Sequence, residues 1–383
     1  MKIVIVGAGK VGVALTRHLA VENRVTVIDQ NPHLVENIIN IYDVMGVCGN
    51  GASYDVQKEA DVEQADLLIA TTSSDEINIL TCLVAKKMGV QHTIARIRSP
   101  EYGRQLRFMR SELGLSMAIN PEAATAREIA RVLRFPTAMK LESFSKGRLE
   151  LVEYRVAEHT ALDGTRLSEL YRNFKVRVLI CAVARQGETI IPSGDFTLRA
   201  GDKIYLTAAP RELEKFFRLL GVFRARASSV MIVGASKMCY YLASELLEMG
   251  MSVKIIDQNE QRCVEMSEKL PRALVIVGDG TDSELLSEEG ISQTDAFVAI
   301  TGLDEANILM ALSAAKQSGD CCKVVAKINR KSLLELVSTE SLIDSVVSTG
   351  AVTTELILQY IRAMKNASAS KVKTLHRIVD EKV

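Results

Sequence analysis

The residues best placed to do chemistry form a glycine-rich hexapeptide near the start of the sequence, and all six are candidate cofactor-binding residues: Gly7, Ala8, Gly9, Lys10, Val11 and Gly12. This G-x-G-x-x-G pattern directly follows a short apolar strand and opens a helical pattern, which is the context of dinucleotide binding. In that context Gly7 allows a tight turn, Gly9 lets a pyrophosphate approach the backbone, and Gly12 lets the helix pack close to the sheet. The first N–H groups of the helix and its positive dipole end would then face the phosphates.

A carboxylate follows at the distance expected for a ribose contact. Asp29 ends the second predicted strand, about twenty residues after the motif, where it can accept a hydrogen bond from a ribose 2′-hydroxyl group. A 2′-phosphate would be repelled by this carboxylate, so the sequence favours NAD(H) over the 2′-phosphorylated cofactor. A glycine turn that binds no ligand is the alternative interpretation.

Polar residues after the fourth and fifth strands are further candidates for ligand contact. Thr72 and Ser73 follow the fourth strand, where their hydroxyl groups could equally cap the next helix. Arg96 and Arg98 alternate at the end of the fifth strand and therefore share one face. Because Arg98 lies at the carboxyl edge of the sheet, where doubly wound folds bind ligands, we expect a phosphate clamp there. A solvated surface arginine explains the pattern as well.

The chain contains an internal repeat, with one copy at about residues 1–135 and the other at about 228–365. Val4–Ala8 matches Met231–Ala235, and Val25–Asn31 matches Val253–Asn259. The order of further short matches is preserved along both copies, so the sequence predicts a duplicated domain.

The second copy departs from the glycine pattern, although it supplies a parallel set of candidate ligand-binding residues: Gly234, Ala235, Ser236, Lys237, Met238 and Asp257. We expect Ser236 to crowd a pyrophosphate and Cys239 to push the helix away from the strand. Nucleotide binding by this copy should therefore be much weaker, and a purely structural role is equally open. Asn50 and Asp279, the middle residues of matching glycine-flanked turns, complete the candidate set.

Alternating strand and helix patterns predict the elements that position these residues. Apolar runs in the first copy predict strands at 2–6, 25–29, 44–47, 65–71, 93–97 and 116–119, with a helix from about Lys10. Continuous apolar strands that alternate with helices are typical of a parallel sheet covered on both faces. We therefore predict an α/β fold with two tandem Rossmann-like doubly wound parallel sheets. Strand-like segments at 149–156, 177–184 and 203–207 predict a small α+β subdomain between them.

Composition excludes several other classes of protein. Among 383 residues, 47 basic residues balance 47 acidic ones, so no charge field favours nucleic acid as a partner. The apolar runs are strand-length and no secretory signal precedes the first strand, so we expect a soluble, cytoplasmic protein. Seven cysteines without C-x-x-C spacing fit a reducing compartment, and adjacent Cys321 and Cys322 are expected to be buried rather than redox-sensing. No ligand run for a metal is present.

Taken in order, the hexapeptide, Asp29, Gly49–Gly51, Thr71–Asn78 and Ile94–Pro100 resemble the TrkA family. The KTN or RCK domains of this family form the peripheral NAD-binding subunit of Trk-type potassium uptake systems. The likeness covers almost the whole chain, including the duplication.

The resemblance implies a set of domain bounds: Rossmann domains at 1–120 and 228–348, crossover helices at 121–137 and 349–366, a regulatory RCK C subdomain at 138–222, and the start of a second C subdomain at 367–383. It also implies that the helix after Asn120 crosses over to a neighbouring subunit. Because the sequence ends at Val383, we expect the second C subdomain to be either truncated or absent.

By this resemblance the protein is a regulatory subunit, cytoplasmic and peripheral on the inner face of the cell membrane. Nucleotide binding in a homo-oligomeric ring, a dimer or a tetramer, would gate a potassium-translocating membrane subunit. NAD(H) is the expected cofactor, with ATP and ADP as alternatives. An NAD-dependent oxidoreductase is the contrasting hypothesis, but no histidine clusters with an acid and a lysine, so we expect no enzyme. A soluble NAD or redox sensor with another protein partner stays open.

Overall fold

The computed structural model describes residues 1–102, 105, 113–134, 140–144, 149–158, 160–185, 188–220, 227–318, 322–337 and 343–369. The predictions for Cys321 and for a domain start at 367–383 therefore lie wholly or largely outside the described residues. Within those ranges, no helix has the length and apolar character needed to cross a membrane.

Six parallel strands form the first sheet, in the order β3-β2-β1-β4-β5-β6. The strands are β1 (Lys2–Val6), β2 (Arg24–Asp29), β3 (Met45–Cys48), β4 (Leu67–Ala70), β5 (His92–Arg96) and β6 (Met117–Ile119). The register of β1 with β2 and β4 places Val6 beside Ile28 on one side and Ala70 on the other. This order reverses between β1 and β4, and the carboxyl edge at such a point is where doubly wound folds bind ligands.

Helices cover both faces of this sheet because its strands are apolar on both faces. They are α1 (Lys10–Leu19), α2 (Pro32–Ile41), α3 (Tyr54–Glu59) and α4 (Asp75–Lys87), and a further helix, α5 (Pro121–Arg134), follows β6. Ile3 and Ile5 of β1 pack in one buried cluster together with Leu15 of α1. Val4 and Val6 point to the opposite face and pack in a second cluster. The strand alternation thus divides one sheet between two cores.

The insert between the repeats is an antiparallel sheet in the order β10-β9-β11-β8-β7. Its elements are β7 (Lys140–Phe144), β8 (Leu149–Arg155), α6 (Leu170–Phe174), β9 (Leu179–Arg185), β10 (Glu188–Ile190), β11 (Lys203–Ala208) and α7 (Pro210–Leu219). Phe174, Phe216 and Phe217 lie in the core on one face of the sheet, where Phe174 and Phe216 meet edge to face. The insert is therefore the predicted α+β subdomain.

The second parallel sheet has the order β14-β13-β12-β15-β16-β17, which repeats the first. Its strands are β12 (Ser229–Val233), β13 (Ser252–Asp257), β14 (Leu274–Val277), β15 (Ala296–Ala299), β16 (Lys323–Lys327) and β17 (Ser345–Val347). Its helices are α8 (Lys237–Glu248), α9 (Glu260–Lys269), α10 (Ser283–Glu288), α11 (Asp304–Ser318), α12 (Lys331–Val337) and α13 (Thr349–Ala369). The prediction of two tandem Rossmann-like sheets is confirmed.

The helix after the sixth strand of each repeat packs with residues of the other repeat. Val347–Lys365 belongs to the same compact unit as Met1–Ala126, whereas Arg127–Val346 lies in the other unit. In the first unit, Ile357 and Ile361 of α13 join the buried cluster around β1. Near this cluster, the Tyr360 hydroxyl lies 3.2 Å from Nδ1 of His92.

The carboxyl-terminal part of α5 packs with the second repeat in the same way. Burial raises the pKa of Glu245 in α8, and the nearby guanidinium groups of Arg127 and Arg131 partly oppose that rise. The helix after Asn120 thus reaches the second repeat of its own chain. The expectation that it crosses to a neighbouring subunit stays a prediction.

Candidate functional site

Two glycines of the hexapeptide are required by the fold itself. Gly7 has a φ of 104°, and a Cβ there would lie 2.9 Å from backbone atoms of Thr71 and Thr72. A Cβ on Gly12 would lie 1.8 Å from the carbonyl oxygen of Gly7. The loop therefore turns tightly and holds the start of α1 close to the sheet, as the motif predicts.

Gly9 is required neither by its backbone conformation nor by packing. Its φ of −74° and ψ of −173° are accessible to any residue. A Cβ built on Gly9 meets no atom within 4 Å. The helix that follows has no side-chain cap hydrogen bond. The position therefore leaves an open approach to a helix start, which is the arrangement that binds phosphate.

The remaining hexapeptide residues differ in exposure. Ala8 is buried, Lys10 is exposed at the first position of α1, and Val11 is half-buried. The buried N–H group of Ala8 donates a 2.6 Å hydrogen bond to Oδ2 of Asp29. This bond joins Asp29, the residue predicted to contact the ribose, to the loop predicted to bind the phosphates.

Asp29 uses both carboxylate oxygens to organise the loop. Besides the bond from Ala8, its Oδ1 accepts a hydrogen bond from the N–H group of Asn31 at 2.8 Å. A carboxylate has about four acceptor positions, so each oxygen can also accept a bond from a ribose hydroxyl. Sequence reasoning assigned only that ligand role and missed the bonds to the backbone.

Asn50 lies on the exposed turn after β3, where its Oδ1 accepts a 3.0 Å hydrogen bond from the N–H group of Ala52. Ser73 is exposed in the turn after β4, and the next residue, Ser74, caps α4, as the capping interpretation of this hydroxyl-rich segment allows. The Thr72 hydroxyl donates a 2.8 Å hydrogen bond to Oδ1 of Asn78. Thr72 is therefore fixed within the protein, while Ser73 is the more accessible of the two.

Asn78 is a site residue that sequence reasoning missed. Its side chain is completely buried. Its Oδ1 also accepts from the N–H group of Thr72 at 2.9 Å, and its Nδ2 donates to the carbonyl oxygen of Arg96 at 2.8 Å. Asn307 makes the equivalent bonds in the second repeat. The matching Asp75–Asn78 and Asp304–Asn307 segments were the signal that could have identified Asn78.

Arg98 is paired within the protein rather than free for a ligand. Its Nε donates a 2.6 Å bond to Oε1 of Glu122 in the first turn of α5, and its backbone N–H bonds the Asp75 carboxylate. The nearby Arg96 donates to the carbonyl oxygen of Thr72, and burial lowers the pKa of its guanidinium. Arg96 and Arg98 thus lie near the same carboxylate, as their alternation predicts.

The second repeat reproduces the loop and its carboxylate. Gly234 has a φ of 111°, and the Ala235 N–H group donates a 2.7 Å bond to Oδ2 of Asp257. Lys237 is exposed and Met238 is buried, as the first two residues of α8. The helix begins at the residue that aligns with the first residue of α1.

Two features of the second repeat differ in chemistry from the first. Ser236 caps α8 through its side chain, and Cys239 is fully buried.

Asp279 accepts hydrogen bonds from the Thr281 N–H and hydroxyl groups, and these bonds, with one from Gln258, lower its pKa. The turn that carries Asp279 is thus held by its own residues.

The described ranges show no metal centre, and the thiol of Cys322 is buried. Those ranges contain no group of three or more His, Cys, Asp or Glu residues that could hold a metal ion. Cys322 is buried, and this burial raises its pKa to about 11. Its thiol is therefore protonated at neutral pH, which fits a packing role.

Family models match most of the chain. Residues 3–121 and 230–349 match the TrkA-N domain, and residues 151–221 match the TrkA-C domain. The chain is 32% identical to the Trk system potassium uptake protein TrkA homolog of Archaeoglobus fulgidus, over 97% of this chain and 84% of the relative. It is 33% identical to the Trk system potassium uptake protein TrkA of Vibrio alginolyticus, over 97% of this chain and 82% of the relative.

Two solved structures share the fold. The GsuK RCK domain aligns with a TM-score of 0.70 at 20% identity, covering 96% of this chain and 77% of that chain. The GsuK channel bound to NAD aligns with a TM-score of 0.70 at 21% identity, covering 96% of this chain and 64% of that chain. At this identity the likeness concerns the arrangement of the elements.

Proposed function

This chain belongs to the TrkA family, and on that premise we propose that it is the nucleotide-binding regulatory subunit of a Trk-type potassium uptake system. NAD(H) bound by the first repeat acts as the signal, and a potassium-translocating membrane subunit responds to it. The observation that carries this proposal is the open approach at Gly9, where α1 starts without a side-chain cap and a Cβ would meet no atom.

The residues around that approach suit a dinucleotide. The start of α1 holds the pyrophosphate through the N–H groups of Gly9 to Gly12, with Lys10 supplying a positive charge. Asp29 accepts hydrogen bonds from the ribose and discriminates against a 2′-phosphate by charge. Asn50 and Ser73 line the neighbouring turns. Oxidoreduction is not required, because occupancy alone can carry the signal. ATP and ADP share the phosphate and ribose chemistry and are the alternative ligands.

Arg98 links the site to the crossover helix. The guanidinium that would clamp a phosphate donates a hydrogen bond to Glu122 in the first turn of α5. A phosphate at Arg98 competes with that carboxylate, so ligand binding changes what holds the start of α5. Such a differential contact is what an allosteric signal needs.

The finer organisation follows from the same premise. We place the protein on the cytoplasmic face of the membrane, in a homo-oligomeric ring of two or four chains that contacts the membrane subunit. Rossmann domains at 1–120 and 228–348, crossover helices at 121–137 and 349–366, and a regulatory C subdomain at 138–222 are the proposed bounds.

The proposal is tested by calorimetric titration of the purified chain with NADH, NAD⁺, ATP and ADP, with sites counted per chain. One site that requires Asp29, with no oxidation of NADH when hydroxy or keto acids are added, is the expected result. Absence of any nucleotide binding would contradict the proposal.

A second measurement separates the transport role from a soluble sensor. Potassium uptake is followed in cells that express the membrane subunit alone, with this chain, or with its Asp29→Ala variant. We expect uptake to depend on the intact chain and to lose its nucleotide response in the variant. Potassium uptake that is the same with and without the chain would favour a soluble sensor with another protein partner.

A further inference from the structure

The loop of the second repeat shares two backbone features with the loop of the first. Gly234 adopts the same left-handed conformation as Gly7, with φ values of 111° and 104°. The carboxylate bonds to Ala8 and Ala235 differ by 0.1 Å, at 2.6 and 2.7 Å. These two shared features therefore give no reason for the second repeat to reject a dinucleotide.

The two repeats differ in the hydrogen bonds made by the N–H groups at the start of the helix. Ser236 has a φ of −99° and a ψ of 174°, which is close to the conformation of Gly9. Its Oγ accepts a hydrogen bond from the Cys239 N–H group at 3.4 Å, and its own N–H group donates to the Gly234 carbonyl oxygen at 3.0 Å. The second repeat thus uses internally two of the donors that a bound phosphate would need.

The first repeat leaves the corresponding donors available. Among the described residues, no cap bond of this kind joins the Gly12 N–H group to a side chain, because Gly9 has none. The space that the Ser236 side chain takes in the second repeat is empty at Gly9, where a Cβ meets no atom within 4 Å.

We infer that Ser236 is the residue that closes the second repeat to dinucleotides, its hydroxyl standing in for a phosphate oxygen at the start of α8. This inference rests on the proposed dinucleotide site in the first repeat. One chain then carries a ligand-dependent copy and a copy that is capped by its own side chain. In such a chain, only dinucleotide binding to the first repeat produces a signal.

Reciprocal substitutions test this assignment, and both are compatible with folding. Glycine is accepted at a helix N-cap with little loss of stability, so Ser236→Gly should fold. Gly9→Ser introduces a side chain at a negative φ into open space, so it should fold as well. Thermal melting of each variant checks this before any binding measurement.

The full-length chain is titrated with NADH by calorimetry. We expect one site in the wild type and two in Ser236→Gly, with the new site lost in Ser236→Gly/Asp257→Ala. We expect Gly9→Ser to weaken binding at the first site at least tenfold. A folded Ser236→Gly variant that gains no site overturns the inference, as does a Gly9→Ser variant that binds like the wild type.

Two further outcomes are informative. A second site that appears only in Ser236→Gly/Cys239→Gly would assign the closure to Cys239 and overturn the inference. A wild-type chain that binds no NADH contradicts the proposed function. In that event an Asp257-dependent site in Ser236→Gly would still support the role of Ser236, and no site there would overturn it.

Discussion

Replacing Asp29 with alanine separates the structural role of this carboxylate from its role in ligand binding. Asp29 accepts bonds from two backbone N–H groups, at 2.6 and 2.8 Å. Asp257 accepts the equivalent pair in the second repeat, at 2.7 and 2.8 Å. Asp257→Ala is thus a matched control that removes the same bonds from a repeat expected to bind no dinucleotide.

The effect on stability should be the same in both variants. Hydrogen bonds to a charged group contribute about 1.5–3 kcal/mol each, and both carboxylates are half-exposed, so we use the lower end. We expect the free energy of unfolding to fall by about 3 kcal/mol in each variant, which a domain with about 5–15 kcal/mol tolerates. Urea unfolding, followed by circular dichroism, measures both values.

The effect on affinity should differ between the variants. Loss of a charged acceptor for the ribose hydroxyl groups removes about 1.5–3 kcal/mol, so the Kd for NADH should rise about ten- to one-hundred-fold in Asp29→Ala. Asp257→Ala should leave this Kd unchanged. Equal Kd values in Asp29→Ala and the wild type would refute the ribose role. Equal losses of affinity in both variants would indicate a general effect on folding instead.

Three further substitutions probe the loop, the site wall and the insert. Gly12→Ala places a Cβ 1.8 Å from a backbone carbonyl oxygen, so we expect a lower melting temperature as well as lost NADH binding, and normal melting would contradict the packing argument. Asn78→Leu leaves buried backbone groups unpaired, at about 1–3 kcal/mol for each unsatisfied group, and should lower NADH affinity, whereas Asn307→Leu should destabilise without that loss. Burial alone would raise the pKa of Asp202, but its bonds to Arg185 and to a backbone N–H hold the pKa below its usual value. The stabilisation from the Asp202 carboxylate is therefore fully present above its unfolded-state pKa and is lost as the pH falls through the lower folded-state pKa. In Asp202→Asn, the free energy of unfolding should therefore change less with pH below about pH 4.

Long-range partners account for the expectations that the structure changed. Arg98 has the position predicted for a phosphate clamp, but its pairing with Glu122 joins residues 24 positions apart. Thr72 was a candidate ligand residue, and its hydroxyl bonds Asn78 instead of a helix N–H group. No periodicity in the sequence encodes such pairings, because each depends on how neighbouring strands and helices align at the sheet edge.

The sequence by itself determined the two Rossmann-like sheets, the insert between them and the position of the glycine-rich loop. These features follow from local patterns, since strand alternation, helix periodicity and the spacing of Gly7, Gly9 and Gly12 act within a few residues. Tertiary structure alone decided which repeat each crossover helix packs against and how each helix start is satisfied. Burial of the apolar face of α13 on the first sheet, and the cap supplied by Ser236, depend on surfaces and donors that exist only after the chain has folded.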